Sequence, residues 1–143
     1  MFCDISPTCY KIALQKEIIK RHIKNFLRHE RYADTRQSEP LPCLVADCSS
    51  HLIKRGKGID PVLQENKAVN IKLANARMNG ILIRPGETFS FWHLVGKTTK
   101  RKGYRDGRIL VRNHLLPGIG GGLCNLANTI HRVVLLSPLT VTE

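Results

Sequence analysis

Apolar residues recur at helical spacing in three stretches of this chain. Ser6-Pro7 can open the first, with serine as N-cap and proline in the first turn. Ile12, Ile19, Ile23 and Phe26, with Leu14 and Ile18 beside them, form an apolar stripe, and Lys16, Lys20, Lys24 and Arg28 lie opposite. The pattern predicts a helix from about residue 7 to about residue 31. A basic amphipathic helix of this kind either lies on a membrane or packs on its own domain. Asp60-Pro61 starts the second stretch, in which Val62, Asn66, Val69, Leu73 and Ala76 share one face. Ala68, Ile71 and Met78 give it another apolar face, and Asn79-Gly80 stops it, so it is expected to be buried between two partners. Leu123, Ala127, Ile130 and Val134 mark the third.

Between the second and third stretches the period changes. Ile81-Leu82-Ile83 is short and β-prone, Arg84-Pro85-Gly86-Glu87 reads as a turn, and Thr88 to Val95 reads as a strand with Phe89 and Phe91 on one side. Trp92 and His93 break that alternation, and Ile109-Leu110-Val111 is another strand candidate. Residues 33–60 are irregular, with breakers at Ser38-Glu39-Pro40-Leu41-Pro42 and Gly56-Lys57-Gly58. The order predicts an α+β fold: an N-terminal amphipathic helix, a second buried helix, short antiparallel strands, and a glycine-rich loop leading into a cysteine-bearing helix. The expected division is a helical segment over 1–32, an irregular connection over 33–60, and a main body over 61–143. No internal repeat and no low-complexity segment is evident.

At 143 residues the chain is one domain or part of one, able to bury about 70% of its unfolded surface. Its formal net charge is +12, and residues 61–143 hold 12 Lys/Arg against 4 Asp/Glu. The densest block runs from Lys97 through Lys100, Arg101, Lys102, Arg105 and Arg108 to Arg112, with Asp106 as its one acid. Such a surface suits nucleic acid, anionic lipid or an acidic polymer, or is a solvated basic face; no motif singles out nucleic acid. The first ten residues lack the pattern of a secretory signal, and no apolar run reaches the length of a membrane span, so a cytoplasmic chain is expected. The five cysteines, Cys3, Cys9, Cys43, Cys48 and Cys124, are odd in number and loosely spaced, which argues against a disulfide framework. Cys43, Cys48 and His51 could offer three metal ligands. Their spacing is not that of a common zinc site and no fourth ligand is near, so no metal and no cofactor is expected.

The chemistry concentrates in Gly118-Ile119-Gly120-Gly121-Gly122-Leu123-Cys124-Asn125. A loop there feeds a helix whose first turn holds a cysteine. Unpaired N–H groups and the helix dipole at such a terminus favour a thiolate. In that reading Cys124 is a nucleophile and the loop Gly120, Gly121 and Gly122 offers N–H groups as an oxyanion hole, with Asn125 beside it. A base is needed. His131 shares the helix face but sits about 10 Å along the axis, which leaves His93 and His114 as candidates. The other reading makes Cys124 a small buried side chain and the glycines a means of close backbone approach. The Lys-Ser/Thr of a phosphate-binding P-loop is absent.

Three motifs in order resemble the VanW family: Arg84-Pro85-Gly86-Glu87-Thr88-Phe89-Ser90-Phe91-Trp92, then Gly103-Tyr104, then Gly120-Gly121-Gly122-Leu123-Cys124-Asn125. Cys3-Asp4-Ile5-Ser6-Pro7 and Leu63-Gln64-Glu65-Asn66-Lys67-Ala68-Val69 are similar to the signal-less branch of that family, so the resemblance covers nearly the whole chain. It implies a link to glycopeptide resistance and the cell envelope without a settled activity. The family's cysteine motif is similar to the strand-loop-helix entry of papain-like peptidases, which implies thiol chemistry on cell-wall peptides. Asn125 stands where the family commonly has glutamine. Family members run on past the position of Glu143, which implies a C-terminally truncated chain whose base lies in the missing part. The alternative is a non-enzymatic module that binds an anionic partner through residues 97–112.

Overall fold

The computed structural model describes residues 7–27, 29–111 and 114–142. Four helices and one hairpin follow in the order α1 (Pro7–Leu27), α2 (Pro61–Met78), α3 (Phe91–Val95), a 3-10 turn (Lys100–Lys102), β1 (Asp106–Val111), β2 (His114–Ile119) and α4 (Leu123–Leu135). The fold is α+β, as the periodicities predict. Two compact units make it up. One holds the chain to Ala33 together with Ile83–Phe89; the other holds Asp34–Leu82 together with the chain from Ser90 onward.

In the first unit α1 ends at Leu27, short of residue 31. His29 has φ +48°, a left-handed conformation that cannot continue a right-handed helix. Ser6 and Arg28, and the side chain of Phe26, lie outside the described residues. The predicted stripe faces water: Ile12, Leu14, Ile18, Ile19 and Ile23 are all exposed, as is Leu27. The unit offers α1 little apolar surface, because its other parts are short and bound by their backbones. Thr88 N–H donates to Arg31 O at 2.8 Å and Ala33 N–H to Thr88 O at 3.1 Å. The turn at Arg84–Glu87 forms as predicted, closed by Glu87 N–H to Arg84 O and by Arg84 N–H to the Glu87 carboxylate.

The second unit is built around α2. Asp60 caps it, accepting from the Val62 N–H at 2.8 Å, and Pro61 occupies the first turn. The predicted faces hold only in part: Met78 is buried and Asn66, Ala68, Val69, Ile71 and Leu73 are half-buried. Val62 and Ala76 are exposed, whereas Gln64, Asn70, Ala74 and Met78 are buried. What α2 faces over much of its length is main chain, so amide side chains turn inward where apolar ones were expected. Ala74, Met78, Val95, Tyr104 and Leu123 supply the apolar part of the core.

Two strand predictions need correction. Phe91–Val95 is a helical turn, not the second half of a strand over 88–95: Ser90 Oγ accepts from the His93 N–H at 3.4 Å, and Gly96 N–H closes on Trp92 O at 2.9 Å. The local serine cap outweighs the aromatic alternation. β1 contains the predicted Ile109-Leu110-Val111 but starts at Asp106, and it pairs antiparallel with a strand the pattern does not reveal. That strand, β2, contains Pro117 and Gly118, both poor strand formers, opposite Arg108 and Gly107.

Tyr104 is 4% exposed and its hydroxyl has no hydrogen-bond partner among the described residues. Burial pushes its pKa up, and the nearby Arg77 cation pulls it part of the way back. Tyr104→Phe should therefore stabilise the protein by about 1 kcal/mol, because an unsatisfied buried group is removed. The sign with pH also follows. Above pH 10.0 the unfolded chain loses the phenol proton before the native one, so wild-type stability falls as pH rises. Denaturant melts of both proteins at neutral and alkaline pH test this; the gap should widen as pH rises.

Candidate functional site

The glycine loop is held from behind by α2. Asn66 and Asn70 lie one turn apart on one face of that helix. Asn66 Nδ2 donates to Asp106 O at 2.9 Å. Asn70 is 0% exposed; its Nδ2 donates to Arg105 O and to Gly121 O, both at 2.9 Å, and its Oδ1 accepts from the Arg105 N–H at 2.8 Å. Between them Lys67 runs its stem across Gly122 and donates from Nζ to Leu52 O at 2.7 Å. Burial lowers the Lys67 pKa, and the like charge of Lys54 lowers it further.

The loop itself is packed backbone on backbone. A Cβ on Gly121 would lie 2.2 Å from the carbonyl carbon of Gly107, and one on Gly107 would lie 2.6 Å from Gly121 O. Gly120 N–H donates to Arg105 O and Gly121 N–H to Gly118 O. These two glycines are thus corrected as oxyanion donors, since their hydrogens are already committed within the loop. Gly122 is the N-cap of α4 in a left-handed conformation, φ +97°, and no side chain caps the helix. The N–H groups of Gly122, Leu123 and Cys124 make no hydrogen bond among the described residues. The first helical turn therefore keeps several of its orphan donors.

Cys124 is exposed in that turn, in no disulfide, and its thiol has no hydrogen-bond partner among the described residues. Leu123 beside it is buried, 5% exposed, so it is the leucine that anchors the helix start and the cysteine that faces out. Asn125 is half-buried. Its Oδ1 accepts from Ser50 Oγ at 3.4 Å, and its main-chain oxygen accepts from Thr129 Oγ1 at 2.9 Å. Ser50 also meets Thr129 Oγ1 at 3.2 Å.

Among the described residues no histidine makes a hydrogen bond to the Cys124 thiol. His93 Nε2 meets Asp34 Oδ1 at 3.1 Å. His114 opens β2, at the end of the hairpin away from the glycine loop, about 20 Å along the strand from Gly120. His131 lies further along α4. In the basic block Lys97, Lys100, Arg101, Lys102 and Arg105 are exposed, Arg108 is half-buried in β1, and Arg112 lies outside the described residues. Lys100 pairs with Asp106 at 3.6 Å. Cys43 and His51 are exposed and Cys48 is half-buried; among the described residues no three His, Cys, Asp or Glu are grouped to hold a metal. No helix among them is long and apolar enough to cross a membrane.

Sequence reasoning missed Asn70, Lys67 and Ser50. Asn66 and Asn70 left a signal: two amides at i and i+4 on the best-patterned helix, where apolar residues were expected to do the packing. Ser50 left none, since it lies 75 positions before Asn125 in irregular chain.

The family model described as VanW like protein matches residues 66–143, from Asn66 through the cysteine helix. The chain is 41% identical over 112 residues to the vancomycin B-type resistance protein VanW of Enterococcus faecalis, a match covering 78% of this chain and 41% of that protein. It is 33% identical over 79 residues to the uncharacterized protein YoaR of Bacillus subtilis, covering 55% of this chain and 26% of that one. The match thus spans about two fifths of the first relative and a quarter of the second. No solved structure matches.

Proposed function

The chain belongs to the VanW family, and from that membership we propose a role in vancomycin resistance exercised by a thiol site at Cys124 that acts on a peptide or amide bond of the cell envelope. One observation carries this reading: an exposed cysteine in the first turn of α4, beside helix-terminal N–H groups that make no hydrogen bond among the described residues.

In the proposed reaction the Cys124 sulfur attacks the carbonyl carbon of the bond, and negative charge develops on the carbonyl oxygen. The N–H groups of Gly122 and the first helical turn, with the Asn125 amide, are the donors for that charge. Collapse breaks the C–N bond, the amine leaves with the proton from the thiol, and a thioester remains on Cys124. Water then cleaves the thioester, giving a carboxylic acid and restoring the thiol. None of the described residues places a base on the sulfur, so the nucleophile and the donors are the part of the site assigned here.

Alkylation tests the reading. In a chain with Cys3, Cys9, Cys43 and Cys48 changed to serine, Cys124 should react with iodoacetamide at neutral pH several-fold faster than a free thiol. Cys124→Ala in the same background supplies the blank. A Cys124 that reacts no faster than a free thiol across the pH range overturns the thiol reading.

A further inference from the structure

We infer that Asn70 is the positioning residue of the cysteine site, acting through the Gly121–Gly122 peptide to aim the Gly122 N–H; this rests on the thiol reading above. The argument starts from the peptide group. In a trans peptide the C=O and the following N–H are coplanar and point in opposite directions, and among the described residues no peptide is cis. Asn70 Nδ2 holds Gly121 O toward α2. The Gly122 N–H in the same plane must then point away from α2. Gly121 N–H is spent on Gly118 O, so the second hydrogen-bonding group of the loop is fixed as well.

Asparagine suits this position by its atoms. Both of its amide hydrogens are used, on Arg105 O and Gly121 O, and its oxygen takes the Arg105 N–H. Aspartate keeps the acceptor but loses both donors, and would set a carboxylate against two carbonyl oxygens. Serine has a single donor and is shorter. Glutamine is longer by a methylene at a site with no exposed surface. Asn70 thus reads both strands of the junction, the chain at Arg105 and the loop at Gly121, with one side chain. Asn66 provides an internal comparison. It is on the same helix and makes the same kind of bond, to Asp106 O, without touching the glycine loop.

The experiment compares Asn70→Ser and Asn66→Ala in the single-cysteine background, with two readouts. Nuclear magnetic resonance follows the Gly122 amide, and alkylation across pH follows Cys124. Asn70→Ser should move the Gly122 amide resonance, with Cys124 alkylation falling to the rate of a free thiol. Asn66→Ala should leave both near wild type. Equal effects from the two variants overturn the positioning role. If wild-type Cys124 already reacts as a free thiol, the thiol reading falls alone, and a Gly122 amide that responds to Asn70→Ser and not to Asn66→Ala still upholds the aiming of that peptide. Should Asn70→Ser fail to fold, the wild-type protein decides. The two side-chain amide protons of Asn70 should then exchange slowly, and solvent-like exchange of either would overturn the inference.

Discussion

Gly121→Ala is expected to lower stability by about 3 kcal/mol or more. The added Cβ would sit 2.2 Å from the Gly107 carbonyl carbon, 2.4 Å from its oxygen and 2.6 Å from the Arg108 nitrogen. Every one of those atoms is backbone, so no rotamer change relieves the clash. Either β1 moves, which breaks its register with β2, or the loop moves, which pulls Gly121 O away from Asn70 Nδ2. Gly118→Ala makes the comparison useful. Its Cβ would meet the Cδ1 of Ile109 at 2.3 Å, the far end of a flexible side chain that can turn aside. Urea melts of the two variants should separate clearly, with Gly121→Ala the weaker; equal midpoints would mean that the Gly107–Gly121 contact yields easily.

Leu123→Ala should cost about 2–4 kcal/mol. Leu123 is the buried residue of α4, and the rest of that helix keeps most of its apolar side chains partly or fully open, Leu135 at 64% exposure among them. Docking of the helix start therefore depends on one side chain next to the cysteine. Leu123→Met, which conserves volume, should cost less than about 1.5 kcal/mol. Both the melting midpoint and the hydrogen exchange of α4 amides report the loss. Leu123→Ala should make those amides exchange faster, while those of α2 change less.

α1, α2 and α4 were readable because each carries a helical period of apolar residues. α2 shows how far such reading goes: Asp60-Pro61 and Asn79-Gly80 set its ends correctly and Met78 is buried as expected, yet the burial of Gln64 and Asn70 was not foreseen. Periodicity scores side chains against an apolar partner, and part of what α2 meets is main chain at Arg105, Asp106 and Gly121. α3 was lost for a different reason. Phe89 and Phe91 alternate like a strand, but one serine hydroxyl one residue before the helix decides the backbone. β2 was hidden by Pro117 and Gly118, whose presence depends on β1 bringing Gly107 opposite. At the site, the glycine run, Cys124 and Asn125 were visible as a motif in the sequence. The supporting residues were not, because Ser50 and Asn70 reach the motif across 75 and 51 positions of sequence.

The two attachments of the cysteine helix respond to temperature in opposite ways. Leu123 holds by apolar burial, which weakens on cooling. Asn70 holds the loop by an amide–carbonyl bond to Gly121 O, and polar surface contributes to the heat capacity with the opposite sign. In the cold the loop stays fastened to α2 while α4 loosens around its leucine; in warmth below the melting point the leucine carries more of the joint. The site is thus clamped over a wider thermal range than either attachment would provide by itself.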